Sequence, residues 1–421
     1  MNVRVIAPKT AAEETLAQQF AALHAADADR AAAFAAFAKA GLPTRRSEAW
    51  HYTDLRQAME SAAPIAPIPD AARIEAARTL LGARDRLGDV RLVLVDGYYV
   101  AQLSDAAPPG LLASLLAKSA PLAQADAVVA LNNAFARHGL SLLVDEGAKL
   151  RERIEIAHCA SADLPRAIFS DVSITLLAGA SARIVESFFG AGQQCQRNAL
   201  TRLSLSKGAH CEHASLVDDE AALHLESQIV GLGADAEFNA FALVKGGALV
   251  RRQIFANLDD ERASIKLGGL SLLDGSRHAD TTLVVNHAAP HGVSREFYKH
   301  IVADKAVGVY QGKVIVQPGA QKTDGSMKSQ AIMLSPHAIM NNKPELEIFA
   351  DDVVCGHGAT VGALDPEQRF YLQARGIPAA EAEAMLLEAF GAEAIERFAD
   401  GGLANLLREK MRAWLAGRGK A

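Results

Sequence analysis

Apolar positions recur with two different periods along this chain, and the changeover divides it. Between Ala11 and Lys39, residues Leu16, Phe20, Leu23, Phe34 and Phe37 fall at spacings built from threes and fours, which predicts a helix burying one stripe. Gly41-Leu42-Pro43 ends it, because Gly supplies a C-terminal cap and Pro disfavours helical geometry in the residue before it. Ser61 to Asp70 carries Pro64, Pro67 and Pro69 and reads as an extended linker. Val90 to Val95 is a short apolar run that meets Asp96-Gly97, a buried strand entering a turn. A further helix is expected from about Leu111 through Arg137, closed by Gly139.

Near Leu140 the helical period gives way to short alternating runs such as Val172–Leu176, Leu200–Leu205 and Val314–Val316. Gly-Ala pairs recur at the joints, at Gly179-Ala180, Gly208-Ala209, Gly233-Ala234, Gly319-Ala320 and Gly358-Ala359. The first three lie roughly 25–30 residues apart, a spacing that signals a solenoid. The expectation is a coil of three short strands per turn, with Gly at the corners and Ala beneath the next rung. A two-sheet sandwich or jelly roll satisfies the same periodicity. Helical pattern returns after Asp365-Pro366, a good N-cap followed by a residue suited to the first helical position. A second helix is expected from Pro378 to just before Gly391. A third, from about Leu403 to Leu415, sets Leu406, Leu407, Met411, Trp414 and Leu415 against Arg408, Lys410 and Arg412. Such a stripe docks on the protein's own core or serves as a docking surface for a partner. Three divisions follow: residues 1–139 mostly helical, 140–365 built of strands, and 366–421 helical.

Composition narrows the function classes. Half of the 421 residues are apolar and 22% are charged, which excludes disorder over most of the length. Net charge is −6, from 43 Lys+Arg against 49 Asp+Glu, so no strong field points to nucleic acid or to an anionic membrane. The four cysteines, Cys159, Cys195, Cys211 and Cys355, form no C-x-x-C pair. That excludes a disulfide scaffold and a zinc ribbon and fits a reducing cytoplasm. Met1 to Pro8 has no apolar signal core, and no run approaches a membrane span, so a soluble cytoplasmic protein is expected.

Nucleotide and hydrolytic motifs fail on inspection. Gly308–Lys313 is one residue short of a phosphate loop and is followed by Val314. Gly231-Leu232-Gly233-Ala234-Asp235-Ala236 matches a dinucleotide fingerprint, but Glu237–Phe241 alternates like a strand where a helix is required, so it reads as a solenoid corner. His287 and His291 have metalloprotease spacing, yet Pro290 breaks the helix that would aim them together. Two clusters carry donors for a soft metal. In His210-Cys211-Glu212-His213, a strand would put Cys211 and His213 on one face and His210 and Glu212 on the other; a packed Cys and a surface His explain it equally well. In Cys355-Gly356-His357, thiol and imidazole project to the same side, a pairing that suits iron or zinc. Two ligands do not close a tetrahedral site, so the rest would come from elsewhere or from another chain.

The stretch Asn342-Lys343-Pro344-Glu345-Leu346-Glu347-Ile348-Phe349-Ala350-Asp351-Asp352-Val353-Val354-Cys355-Gly356-His357-Gly358-Ala359-Thr360-Val361-Gly362 resembles the signature of the SufB/SufD family of iron–sulfur cluster assembly proteins. Gly41-Leu42-Pro43-Thr44-Arg45-Arg46-Ser47-Glu48-Ala49-Trp50-His51-Tyr52-Thr53-Asp54-Leu55 is similar to the same family's N-terminal segment, and Phe370–Ile377 to the start of its C-terminal helices. Cys355-Gly356-His357-Gly358-Ala359-Thr360 stands where the SufB branch carries E-H-E-A-T, so the likeness is to the SufD branch; Gly356 departs from the Ser expected in many relatives. The resemblance implies a mainly β fold: a right-handed parallel β-helix flanked by N- and C-terminal α-helical domains. It implies a non-catalytic scaffold that pairs with SufB through the β-helix ends and binds the SufC ATPase through its C-terminal helices. It also implies that His357, with Cys355 nearby, ligates iron or a nascent cluster shared with SufB, none of it held tightly by the isolated chain. The alternatives are a SufB-type homodimeric scaffold, a homodimer of this chain in isolation, and a β-helix enzyme acting on carbohydrate, which usually shows paired carboxylates and stacking aromatics; aromatics here total 5%.

Overall fold

A computed structural model describes residues 8–23, 27–116, 126–161, 164–398 and 401–418. Its centre is two stacked sheets between which the chain alternates. One runs from the hairpin Val90–Val95 and Tyr98–Tyr99 through Lys149–Cys159, Ser181–Phe189, His210–Val217, Glu237–Val244, Ser264–Leu273, Val293–Val302 and Asp324–Met333 to Val354–Gly362. The other runs from Leu111–Leu116 through Gly139–Val144, Arg166–Leu176, Cys195–Leu205, Leu223–Leu232, Leu249–Leu258, His278–His287 and Val307–Val316 to Ile339–Ile348. From Gly139 onward the strands pair with one another in parallel, giving a solenoid of eight turns. Each turn holds two long strands, not the three short ones expected. The runs read from sequence are fragments of them, Leu200–Leu205 being the end of Cys195–Leu205. Alternation misleads here because both faces are buried: helices cover the outside, and the inside contains polar residues among the aliphatic ones.

The corner that repeats is a left-handed residue, not a Gly-Ala pair. Gly147, Gly179, Gly208, Asp235, Arg262, His291 and Lys322 all have φ between 57° and 69°. The residue after each is small: five Ala, then Gly292 and Thr323. Ala180, Ala209, Ala236 and Ala263 are fully buried under the next rung. Gly233-Ala234 lies at such a corner, but Asp235 takes the positive φ, and Gly358-Ala359 is interior to a strand. His291 is also a corner residue, while His287 is buried against Ser294 Oγ at 2.9 Å, so the two imidazoles do not converge.

The N-terminal segment forms two helices, Ala11–Ala21 and Ala28–Ala40, where one was expected. Asp27 starts the second by accepting the Arg30 N–H at 2.9 Å. Phe20 and Phe34 stack with centroids 4.2 Å apart, a contact available only after the chain reverses, since 14 residues of one helix span about 21 Å. His24, Ala25 and Ala26 lie outside the described residues. Gly41 ends the second helix as expected, at φ 70°. The Pro-rich stretch is extended but bound: Ala66 N–H donates to Ala167 O at 2.8 Å, Ala167 N–H to Pro64 O at 2.7 Å, and Ala63 and Ala66 are buried. Val90–Val95 is a buried strand turning at Asp96-Gly97, as its pattern predicts. Leu111–Leu116, expected to be helical, is a strand antiparallel to Gly139–Val144. The helix that follows is Ala127–Phe135 alone, residues 117–125 being outside the described range.

At the other end, Asp365 caps Pro366–Ala374 by accepting the Glu367 N–H. Ala379–Phe398 does not stop before Gly391 but passes through it, because a Cβ there would lie 2.5 Å from Met411 Sδ and 3.1 Å from Leu270. With Gly401–Gly417 it buries Leu387, Ile395, Leu407 and Met411 against Leu216, Phe241, Leu270 and Phe297 on the outer face of the first sheet. The terminal stripe therefore docks on the protein's own core. The first C-terminal helix buries no residue, and Phe370 and Tyr371 are exposed on it.

Candidate functional site at the open end of the solenoid

Asn342 to Gly362, the long signature stretch, is nearly all of the last turn. Among the described residues, Ile339–Ile348 pairs only with Val307–Val316, and Val354–Gly362 only with Asp324–Met333. Both terminal strands thus present a free edge of backbone donors and acceptors at one end of the stack. Apolar side chains crowd the same end: Phe349 is 60% exposed and Val354 72%, with Ile339, Ile348 and Val361 also exposed.

Cys355 and His357 lie on Val354–Gly362, in extended geometry, two residues apart and hence on one face with Cα atoms about 7 Å apart. That face points into the solenoid. Cys355 packs on the interior cluster, and a Cβ on Gly325, one rung below, would sit 3.4 Å from its Sγ. His357 pairs in register with Met327 and is exposed, since no further rung covers it. Partial burial pushes the Cys355 thiol above its ordinary range, the Gly325 backbone contact opposes this, and the Asp324 charge adds to it. The other three cysteines are buried; burial raises Cys159 to about 12 and Cys195 to about 11, and raises Cys211 further. Cys355 is the one thiol of the four that solvent reaches.

The second donor cluster separates as its strand geometry predicts. Cys211 and His213 face inward and are buried, while His210 faces out between Glu237 and Glu212. His213 Nε2 is spent on Glu186 at 2.9 Å. No group of three or more His, Cys, Asp or Glu poised to hold a metal occurs among the described residues. Cys355 and His357 are therefore two donors at an open rim, not a closed site.

The N-terminal signature has a structural task beside this end. Trp50 stacks on the Arg251 guanidinium at 3.8 Å, and Arg251 also donates to Ala49 O at 2.7 Å and pairs with Asp280. Thr53 Oγ1 donates to Asp280 and meets His278 Nε2 at 2.9 Å. Glu48 reaches Lys343 on the terminal strand at 3.1 Å. The segment is a clamp across the last turns of the second sheet. Sequence reasoning missed a polar layer inside the stack: Ser329 bonds Asn342 at 2.7 Å, and one rung deeper Tyr310 donates to Glu296 at 2.6 Å. Its only trace in the sequence is the run Ser294, Glu296, Tyr298, His300 at alternate positions.

Comparison with known proteins agrees with this architecture. The family described as the SUF system FeS cluster assembly SufBD core domain matches residues 158–390, and the SufBD protein N-terminal region matches residues 10–64. The iron–sulfur cluster assembly protein SufD of Escherichia coli K12 is 32% identical over 380 residues, 87% of each chain. A SufBD family protein of Synechocystis is 30% identical over 215 residues, 50% of this chain and 47% of that one. SufD of Bacillus subtilis is 40% identical over 93 residues, 22% of this chain and 21% of its own. No described helix is long and apolar enough to cross a membrane. The chain belongs to the SufBD family, as a SufD-like subunit of SUF-system iron–sulfur cluster assembly.

Proposed function

We propose that this chain is a non-catalytic scaffold that presents His357, with Cys355 beside it, to iron or a nascent cluster completed by donors of a SufB-type partner. The observation that carries this reading is the open last turn, where the two donors, two unpaired strand edges and a fringe of exposed apolar residues coincide. A lone imidazole and a protonated thiol bind a cation weakly, so the isolated chain is expected to release its cargo. Strand edges and apolar surface supply the partner contact that would complete the ligand set. In this reading ATP hydrolysis belongs to a SufC-type ATPase docked on the C-terminal helices, where Phe370 and Tyr371 remain uncovered, and the compartment is the cytoplasm. Pairing of two copies through the same edge is the competing arrangement for the chain purified alone.

The test is cluster formation by the reconstituted complex. His357→Ala should leave folding and both partner contacts intact, because the side chain is exposed and supports no packing, while cluster formation falls at least tenfold. Cluster formation by His357→Ala at the wild-type rate removes the site assignment. Loss of residues 366–421 should abolish capture of the ATPase but not of the SufB-type partner.

A further inference from the structure

Among the described residues, three glutamates on the strands face the interior of the solenoid, and two of them are fully provided for. Glu186 accepts from His158 Nε2 at 2.8 Å, His213 Nε2 at 2.9 Å and Thr201 Oγ1 at 2.9 Å. Glu226 holds Arg252 through two contacts at 2.9 Å and accepts from Ser215 and Gln228. Glu296 differs. Its Oε2 accepts from Tyr310 at 2.6 Å, while Oε1 has no hydrogen-bond partner among the described residues. No cation among the described residues pairs with it.

Glu296 also has a particular address. It pairs in register with Met327, which pairs in register with His357, so it stands in the His357 column two rungs down, about 10 Å away at the usual strand spacing. The opposite sheet is shaped around it. A Cβ on Gly312 would lie 2.6 Å from the Tyr310 hydroxyl and 2.9 Å from Glu296 Oε2, so only glycine leaves room for that pair. Asn342, on the terminal strand, stands directly above Tyr310, and its Nδ2 has no partner among the described residues. Polar groups thus continue from Glu296 to the open end. Burial disfavours charge on the other titratable groups around it: it raises Tyr298 beside it and lowers His300, beyond Tyr310, to about 3 and His287, bonded to Ser294, to about 4. Arg252 is occupied by Glu226.

We propose that Glu296 is the buried counter-charge of the open end, a carboxylic acid that releases its proton when a divalent metal ion is held at His357. The proposal rests on the reading of His357 as a ligand. A fixed carboxylate with no resident cation is unfavourable inside a protein, so the empty site keeps the proton; a dication about 10 Å away, partly screened by solvent at the open rim, shifts that balance toward the ionised form. The step is proton loss alone: the O–H bond of Glu296 breaks, the proton passes to buffer, and the metal keeps its oxidation state. Burial pushes the Glu296 carboxyl up to about 7, with the Tyr310 hydrogen bond opposing it, which sets the acid near the point where such a bias acts.

Co(II) titration of the full chain assembled with its SufB-type partner tests this, read by cobalt absorption and by difference infrared of protonated carboxyls. At pH 6, cobalt should roughly halve one protonated-carboxyl band of wild type, and the same band should be missing from Glu296→Gln. Glu296→Gln should bind Co(II) about tenfold more weakly at pH 8 and less than threefold more weakly at pH 6, the order expected of screened charges about 10 Å apart. Tyr310→Phe keeps the acid and removes its donor, so the band should persist to higher pH before cobalt removes it; this variant decides the matter if Glu296→Gln does not fold. A band that keeps its full intensity while cobalt absorption saturates overturns the proposal, as does equal affinity of Glu296→Gln and wild type at both pH values. Cobalt absorption that is absent, or unchanged by His357→Ala, overturns the ligand reading itself and takes the proposal with it.

Discussion

Inside the solenoid, two glutamates of the same chemistry titrate in opposite senses because their neighbours differ. Burial alone would raise Glu186, but hydrogen bonds from His158 and His213 outweigh it and hold the carboxyl at about 2, against an ordinary 4.5. A depressed folded value contributes stability above the unfolded value, and that contribution is lost as pH falls from about 4.5 toward 2. Glu296 is raised to about 7, so its contribution is complete below 4.5 and is lost as pH rises through 7. Glu186→Gln turns an amide donor toward one imidazole and should cost roughly 2–3 kcal/mol at pH 7, shrinking as pH approaches 3. Glu296→Gln should match wild type at pH 5 and exceed it at pH 8 by about 1–3 kcal/mol. Urea unfolding at the two pH values reads both differences, and equal midpoints across pH would contradict the assignments. Neither carboxylate was legible in the sequence, since a Glu at an inward strand position looks like one at an outward position until the rungs are stacked.

At the scale of elements, the helices are placed by what lies beneath them. Ala379–Phe398 continues through Gly391 because the neighbouring helix and Leu270 occupy the space a side chain would need. Gly268 plays the complementary part on the sheet: a Cβ there would lie 2.5 Å from the Phe398 ring. Gly268→Val should lift the end of that helix and destabilise the C-terminal pair by about 1–3 kcal/mol. Hydrogen exchange should show faster exchange within Ala379–Phe398 and Gly401–Gly417, with the strands around Gly268 still protected. Uniform loss of protection would place the effect in the solenoid instead. The same logic explains the misread helices: Gly391 looks like a terminator, and Leu111–Leu116 looks helical, until the partner that uses each is in place.

The whole molecule is asymmetric along its axis. At one end the Val90–Val95 and Tyr98–Tyr99 hairpin and the Leu111–Leu116 strand finish the two sheets, while the N-terminal helices pack on the outer face of the second sheet; at the other the last turn is an open edge, reached by Glu48 at Lys343. Long parallel edges with exposed Phe349 and Val354 are the kind of surface that pairs with another chain. Phe349→Glu combined with Val354→Lys should leave the melting temperature within a few degrees of wild type and weaken partner association by at least tenfold, measured by sedimentation. Unimpaired association would locate the interface elsewhere.

Local chemistry determined a good deal by itself: the caps at Asp365 and Gly41, the Val90–Val95 strand with its Asp96-Gly97 turn, and the Cys355/His357 pair on one strand face. Each depends on contacts within a few residues, so each is written in a short span of sequence. Tertiary structure decided the rest. Two strands per turn, the paired N-terminal helices, the bound Pro-rich strap, and the Glu296–Tyr310 pair all depend on residues brought together from distant positions. Burial on both faces of a parallel strand erases the alternation that would have announced them.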